Sequence, residues 1–146
     1  KEYHDARHHC YAYRLGPKGG RFRANDDGEP SGSAGRQILA SIDSAGLSGV
    51  LIVVVRYFGG ILLGVPGLIR AYRESSADAI AKASVVEKLL TEEVELEFPY
   101  EKMNDVQKKI KSTPGIVVTG QEMGLACKIR LCVPLSQVQA VKDILK

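Results

Sequence analysis

The chain has 146 residues, 45% hydrophobic and 25% charged, the make-up of an ordinary globular protein rather than a disordered or fibrous one. Its longest apolar run, Val50 to Val55, is six residues long, against the ~20 a membrane helix needs, so no membrane partner is expected. The net charge of +3 is too small for a basic nucleic-acid tail.

Residues 6–15 (ARHHCYAYRL) and 21–25 (RFRAN) read as strands, joined by the glycine-rich hairpin Gly16-Pro17-Lys18-Gly19-Gly20. The stretch Asp26-Asp27-Gly28-Glu29-Pro30-Ser31-Gly32-Ser33 is dense in turn formers and reads as a loop. A helix follows, with Ile38, Leu39, Ile42 and Ala45 on one face and Gly46 as its stop. Val50 to Phe58 (VLIVVVRYF) reads as the strongest strand, opened by the apolar run Val50 to Val55, and such runs imply a strand buried on both faces. After Gly59-Gly60 a second helix is expected to start near Pro66, with Leu68, Ile69, Tyr72, Ser76, Ala79, Ile80 and Ala83 along one side.

The pattern changes near Lys88. Glu92, Glu93, Glu95 and Glu97 interleave with Val94, Leu96 and Phe98, the signature of a strand with one wet face. Met103 to Lys111 reads as an amphipathic helix stopped by Pro114-Gly115. Ile116–Thr119 and Ala126–Val133 read as strands, and Leu135–Leu145 as a closing helix with Ser136 as an early cap. This β-α-β-β-α order is the ferredoxin-like pattern without its last strand. Two domains are therefore expected, residues 1–88 and 89–146.

Three cysteines, an odd number, argue against a disulfide framework. Cys127 and Cys132 would lie ~16 Å apart along one strand, beyond the ~7 Å Cα limit of a bridge. Reduced thiols in the cytoplasm are the simplest expectation. The charge is uneven: residues 1–88 hold 12 Lys or Arg against 9 Asp or Glu, and residues 89–146 hold 8 of each. Eight of the nine arginines fall in the first part, and the arginine fork suits phosphate.

Two segments could carry chemistry. At the strand–glycine–helix junction, Gly59, Gly60 and Gly64 allow close backbone approach, and the helix start offers free N–H groups. Arg56, Tyr57, Arg70 and Arg73, with Arg36 from the first helix, could hold an anion there. The plain alternative is a tight turn, since neither P-loop nor dinucleotide-fold spacing is present. In the loop before the first helix, Asp27 and Glu29 are candidates for an acid/base pair or a metal, set against an ordinary turn with capping. His8 and Cys10 share a strand face and His9 points away, so these three are not expected to converge, and no metal or cofactor is expected. Tyr11, Tyr13, Phe22, Tyr57 and Tyr72 lie among arginines, where exposed aromatics could stack bases and buried ones would be core.

Three stretches carry a resemblance. They are His4-Asp5-Ala6-Arg7-His8-His9-Cys10-Tyr11-Ala12-Tyr13, Asp26-Asp27-Gly28-Glu29-Pro30-Ser31-Gly32-Ser33-Ala34-Gly35 and Val53-Val54-Val55-Arg56-Tyr57-Phe58-Gly59-Gly60-Ile61-Leu62-Leu63-Gly64. Together they resemble the IMPACT family in its bacterial YigZ-type branch. The resemblance implies an α+β protein of two domains. The first would have a left-handed βαβ unit like that of a ribosomal-protein and elongation-factor domain, and the second would be ferredoxin-like, similar to the C-terminal domain of elongation factor G. It also implies a strand and helix upstream of His4, so that the chain, which opens at Lys1, reads as N-terminally incomplete. After the third stretch the resemblance implies small residues where this chain has Val65-Pro66-Gly67, at the start of the second helix, and proline there removes one N–H donor. Eukaryotic relatives regulate translation under amino-acid stress through an extra N-terminal domain of which this sequence shows no sign.

The function expected from these features is non-catalytic binding to RNA, the ribosome or translation factors. The alternatives are a hydrolase using Asp27 and Glu29 with Arg56 as anion clamp, and a protein–protein adaptor working through the second domain.

Overall fold

Strand β1 (His8–Leu15) lies at the centre of a three-stranded sheet, between β2 (Arg21–Asn25) and β3 (Val50–Arg56), antiparallel to both. Two helices follow the strands, α1 (Gly35–Ser44) and α2 (Gly64–Lys82). Alternation along β1 sends Cys10 and Ala12 to one side, where both are fully buried with Ile38 and Ile42 of α1 and Leu68 and Tyr72 of α2. Both helices therefore cover the same face of the sheet. These elements belong to one unit, residues 1–85, of a computed structural model that describes residues 2–145.

The expected two-sided burial of β3 is corrected by this arrangement. Ile52 is buried, while its neighbours Leu51 and Val53 are 59% and 50% exposed. An apolar run reports that a strand suits a sheet, but the number of layers packed on that sheet is decided elsewhere in the chain. The strand also ends at Arg56, two residues short of the expected end at Phe58. Helix α2 starts at Gly64, so Pro66 stands inside the first turn, where its missing N–H has no helical partner to lose. Helix α1 stops where expected: Gly46 has φ +64, its N–H donates to Asp43 O at 3.0 Å, and the Leu47 N–H reaches back to Ile42 O at 3.3 Å.

The second unit, residues 86–146, is built from β4 (Thr91–Pro99), α3 (Met103–Ser112), β5 (Val117–Glu122), β6 (Ala126–Pro134) and α4 (Val138–Lys142). Its strand order is β4-β6-β5 with antiparallel neighbours, so a third strand separates the parallel pair that α3 connects. Val94, Leu96 and Phe98 meet Ile129, Leu131 and Val133 of β6 and Val106 and Ile110 of α3 in a core of its own. The wet face of β4 sets Glu93, Glu95 and Glu97 across from Cys132, Arg130 and Lys128. Strand β5 runs past Thr119 through a bulge between Val118 and Gly120. The closing segment is a five-residue helix between two 3₁₀ turns, without a side-chain cap from Ser136. No helix among the described residues is long and apolar enough to cross a membrane. All three cysteines are free thiols, Cys10 and Cys127 buried and Cys132 half-buried.

Candidate functional site

The polar residues singled out in the first unit gather where β1 begins and β3 ends. Arg56, the last residue of β3, lies directly across from His8, the first of β1. The loop between β2 and α1 folds over this end of the sheet, and its first carboxylate decides the loop's shape. Asp26 accepts hydrogen bonds from the backbone N–H of Gly32 at 2.9 Å, Ala34 at 3.2 Å and Gly35 at 2.7 Å. The last two are donors that the start of α1 leaves without helical partners, so the N-terminus of α1 is capped from within the chain. Gly35 permits the approach: a Cβ there would sit 2.5 Å from the backbone nitrogen of Asn25.

Beneath the loop, Glu29 is buried, its side chain 3% exposed. Arg56 grips both carboxylate oxygens, Nε on Oε1 and Nη2 on Oε2. The Tyr72 hydroxyl, reaching in from α2, donates to Oε1 at 2.7 Å. The Cys10 sulfur lies 3.2 Å from the Tyr72 oxygen and 3.0 Å from the Asp26 carbonyl. Since the one Tyr72 proton goes to Glu29, the Cys10 thiol proton has those two oxygens as acceptors. His8 closes the set. Its Nδ1 donates to the Asp27 carbonyl at 2.8 Å, which fixes the tautomer and leaves Nε2 4.0 Å from Glu29. His8 and Cys10 thus do converge, through partners far away in sequence, while His9 faces the other way. The His9 backbone N–H donates to the Asp27 carboxylate at 2.7 Å.

The electrostatics of this cluster favour one protonation state. Burial pushes the Glu29 carboxyl up, but the hydrogen bonds from Arg56 and Tyr72 with the Arg56 charge outweigh it and hold it below its ordinary value. Burial and the neighbouring carboxylates lift the Cys10 thiol to about 11, against partial relief from Tyr72. Tyr72 is raised further still, by burial first and then by its bonds to Cys10 and Glu29. Near neutral pH the cluster holds an ionised Glu29–Arg56 pair with a neutral phenol and a neutral thiol. A general base should titrate near the working pH and a nucleophilic cysteine needs a lowered pKa. For hydrolysis, Glu29 would first have to release Arg56.

The other sequence candidates stand apart from this cluster. Asp27 is exposed with φ +40, a left-handed conformation rare outside glycine, and its amide is held by Asn25 Oδ1 at 2.8 Å. Tyr57 is exposed and donates to Asp5 at 2.7 Å. Gly59 and Gly60 belong to an open loop that ends at Gly64, the first residue of α2, and a Cβ at either of the first two would meet nothing within 4 Å. This loop carries Ile61 and Leu62, 78% and 86% exposed. On α2, Arg70 pairs with Glu74 at 2.7 Å, and Arg73 donates to the Gln37 side chain of α1 at 2.6 Å. Arg36 is exposed on α1. Among the aromatics, Tyr72 is core, and Phe22 lies under the Arg14 guanidinium at 4.8 Å. Among the described residues no group of three or more His, Cys, Asp or Glu is arranged to hold a metal ion. The part of Tyr72 in this network is the feature least visible in sequence. Its only signal was a phenol on the buried face of a helix, which needs a polar partner.

Fold and site together define a two-unit α+β protein whose first unit is locked by a buried Glu–Arg–Tyr network beneath an acid-capped loop. Comparison with known proteins places it further: residues 1–80 match the family model described as the Impact N-terminal domain, and the chain belongs to the IMPACT family. It is similar to "IMPACT family member in pol 5'region" of Thermus thermophilus, 45% identical over 101 residues, 69% of this chain and 54% of that one. It is 32% identical over 139 residues to "IMPACT family member YigZ" of Escherichia coli, covering 94% of this chain and 68% of the relative. The chain thus spans between about half and two thirds of the length of these relatives. A crystal structure of a hypothetical protein superposes with a TM-score of 0.68 at 31% identity, over 99% of this chain and 70% of the other.

Proposed function

We propose that the chain is a non-catalytic binding module for RNA or for RNA-bearing translation machinery, working through the arginine surface of its first unit. The observation that supports this best is how the charges of residues 1–85 sort on folding. Five of its carboxylates are engaged at home: Asp26 caps α1, Glu29 holds Arg56, Asp43 holds Arg14, Glu74 holds Arg70 and Asp78 holds Lys82. Arg7, Arg21, Arg23, Arg36 and Arg73 face solvent with no carboxylate in ion-pair distance among the described residues. Exposed arginines left over in this way present planar forks to an external polyanion.

Of the residues singled out from sequence, Arg36 and Arg73 are the cations without a carboxylate partner among the described residues, Arg73 giving one N–H to the Gln37 amide oxygen. Arg70 sits in an exposed pair that water weakens. Tyr57, Gly59 and Gly60 are exposed after the end of β3, and Arg56 serves by holding Glu29 and with it the loop. The choice of translation machinery rests on what membership implies through the eukaryotic relatives. Titrating the full chain with structured RNA and with ribosomes over a range of salt tests the reading. Affinity should fall with salt by about 0.7–0.9 log units per log unit for each phosphate contacted, and Arg36→Ala with Arg73→Ala should flatten that slope. Binding that ignores salt, or none at low salt, refutes it.

The exposed apolar loop around Ile61 and Leu62 favours a second reading, a protein partner such as a translation factor. Substituting both residues by serine would abolish that association and spare RNA binding.

A further inference from the structure

The sheet face that the helices leave open carries a more specific inference, which rests on the RNA reading above. Alternation on β1 places Tyr11 and Tyr13 on that face, both half-buried. On one side they pair in register with Val53 and Leu51 of β3, and on the other Arg23 of β2 stands across from Tyr13, with Arg21 next along the same edge. No acidic residue occupies this face on any of the three strands. The Asp27 carboxylate is drawn onto the His9 backbone N–H at 2.7 Å. The face thus offers two phenol rings on the central strand, an aliphatic floor to one side and a line of unpaired arginines to the other.

We propose that this face is a stacking platform for single-stranded RNA. Two unpaired bases stack on Tyr11 and Tyr13, Leu51 and Val53 meet the sugars and base edges, and Arg21 and Arg23 hold the phosphates. Rings two residues apart on a strand are separated by ~6.6 Å, which suits bases splayed out of a single strand. A duplex keeps its bases stacked and paired, so it can touch the arginines but not the rings. Aromatic side chains with neighbouring cations match the two chemical parts of a nucleotide, the π-face and the phosphate. A protein surface seated on Leu51 and Val53 would need its own acids to answer Arg21 and Arg23.

The test uses the full chain with an unstructured RNA of about 12 nucleotides, within the length such surfaces cover, and a hairpin duplex of equal charge. Tyr11→Ala with Tyr13→Ala should weaken single-strand binding by about 5- to 150-fold per base lost, and leave duplex binding as it was. The corresponding Phe variants should bind like the parent, because stacking needs the ring and not the hydroxyl. The chain has no tryptophan, so quenching of tyrosine fluorescence by the single strand, lost in the Ala variant, reports stacking directly. Circular dichroism confirms that each variant is folded. Single-strand affinity unchanged in a folded Ala variant overturns the platform and leaves the RNA reading intact, as does binding of the hairpin alone. Absence of binding to either RNA overturns both. A dimer in sedimentation that the Tyr→Ala changes dissociate would assign the face to a second copy and overturn the platform too.

Discussion

Glu29 shows how one residue can be conspicuous in a sequence and have its role reassigned by its neighbours. In a turn-rich loop it reads as an acid or a metal ligand, but in the fold it is a buried anion whose two oxygens are taken by Arg56 and Tyr72. Removing its charge leaves a largely buried guanidinium without a counter-ion. Glu29→Gln is therefore expected to cost about 3 kcal/mol, read as a lower midpoint in urea unfolding. The pH dependence follows from the direction of its shift. The folded carboxyl titrates below its ordinary value of 4.5, so its contribution is complete above that pH and fades as pH falls through the folded value. Cys10 acts at the other end of the scale. Its thiol ionises more readily unfolded, at 9.0, than folded, at about 11, so stability should decline as pH rises between the two. In native protein at pH 8, iodoacetamide should label Cys132 first, with Cys10 and Cys127 reacting only after denaturant is added, as mass spectrometry of the peptides would show.

Among the elements, the contact between α1 and the end of β2 leaves the least room. Gly35 lies against the backbone of Asn25, and no side chain can give way there. Gly35→Ala should thus destabilise by about 1–3 kcal/mol or more, visible as a lower melting temperature, while Gly59→Ala, with open space around it, should change little. Element types were legible from the sequence because their causes are local. Alternation marked β4, the turn formers marked the 26–33 loop, and Gly46 marked the end of α1. Element surroundings were not legible. The run at β3 has the same apolar residues whether one helical layer or two lie against its sheet, and only the packing of α1 and α2 on one side shows that Leu51 and Val53 stay open. The meeting of His8, Cys10, Glu29, Arg56 and Tyr72 escaped for a similar reason, because its hydrogen bonds span from 16 to 62 positions along the chain.

For the molecule as a whole, two separate cores imply two separable transitions. Leu131→Ala empties a fully buried site in the second core and should cost about 2–5 kcal/mol there, with the first unit's transition unmoved; Ile38→Ala should do the reverse. Hydrogen exchange resolved by peptide would read the two responses apart. The units also differ in surface charge. The first turns unpaired arginines outward. The second answers the glutamates of β4 with Lys128, which reaches Glu97 at 3.4 Å and Glu95 at 3.9 Å, and pairs Arg130 with Glu122 at 3.1 Å. Such exposed pairs add little stability, but they leave that sheet face with no free cation for a phosphate. Substituting Lys128 should accordingly leave RNA affinity nearly as it was.

Family, element order and the α+β class could be read from residues alone, since each depends on short-range patterns that the chain carries wherever it folds. Which charges neutralise one another and which remain for a partner depended on the tertiary structure. Coulomb attraction and hydrogen bonding act over a few ångströms, and only folding brings Arg56 within that range of Glu29 while leaving Arg36 and Arg73 without a carboxylate.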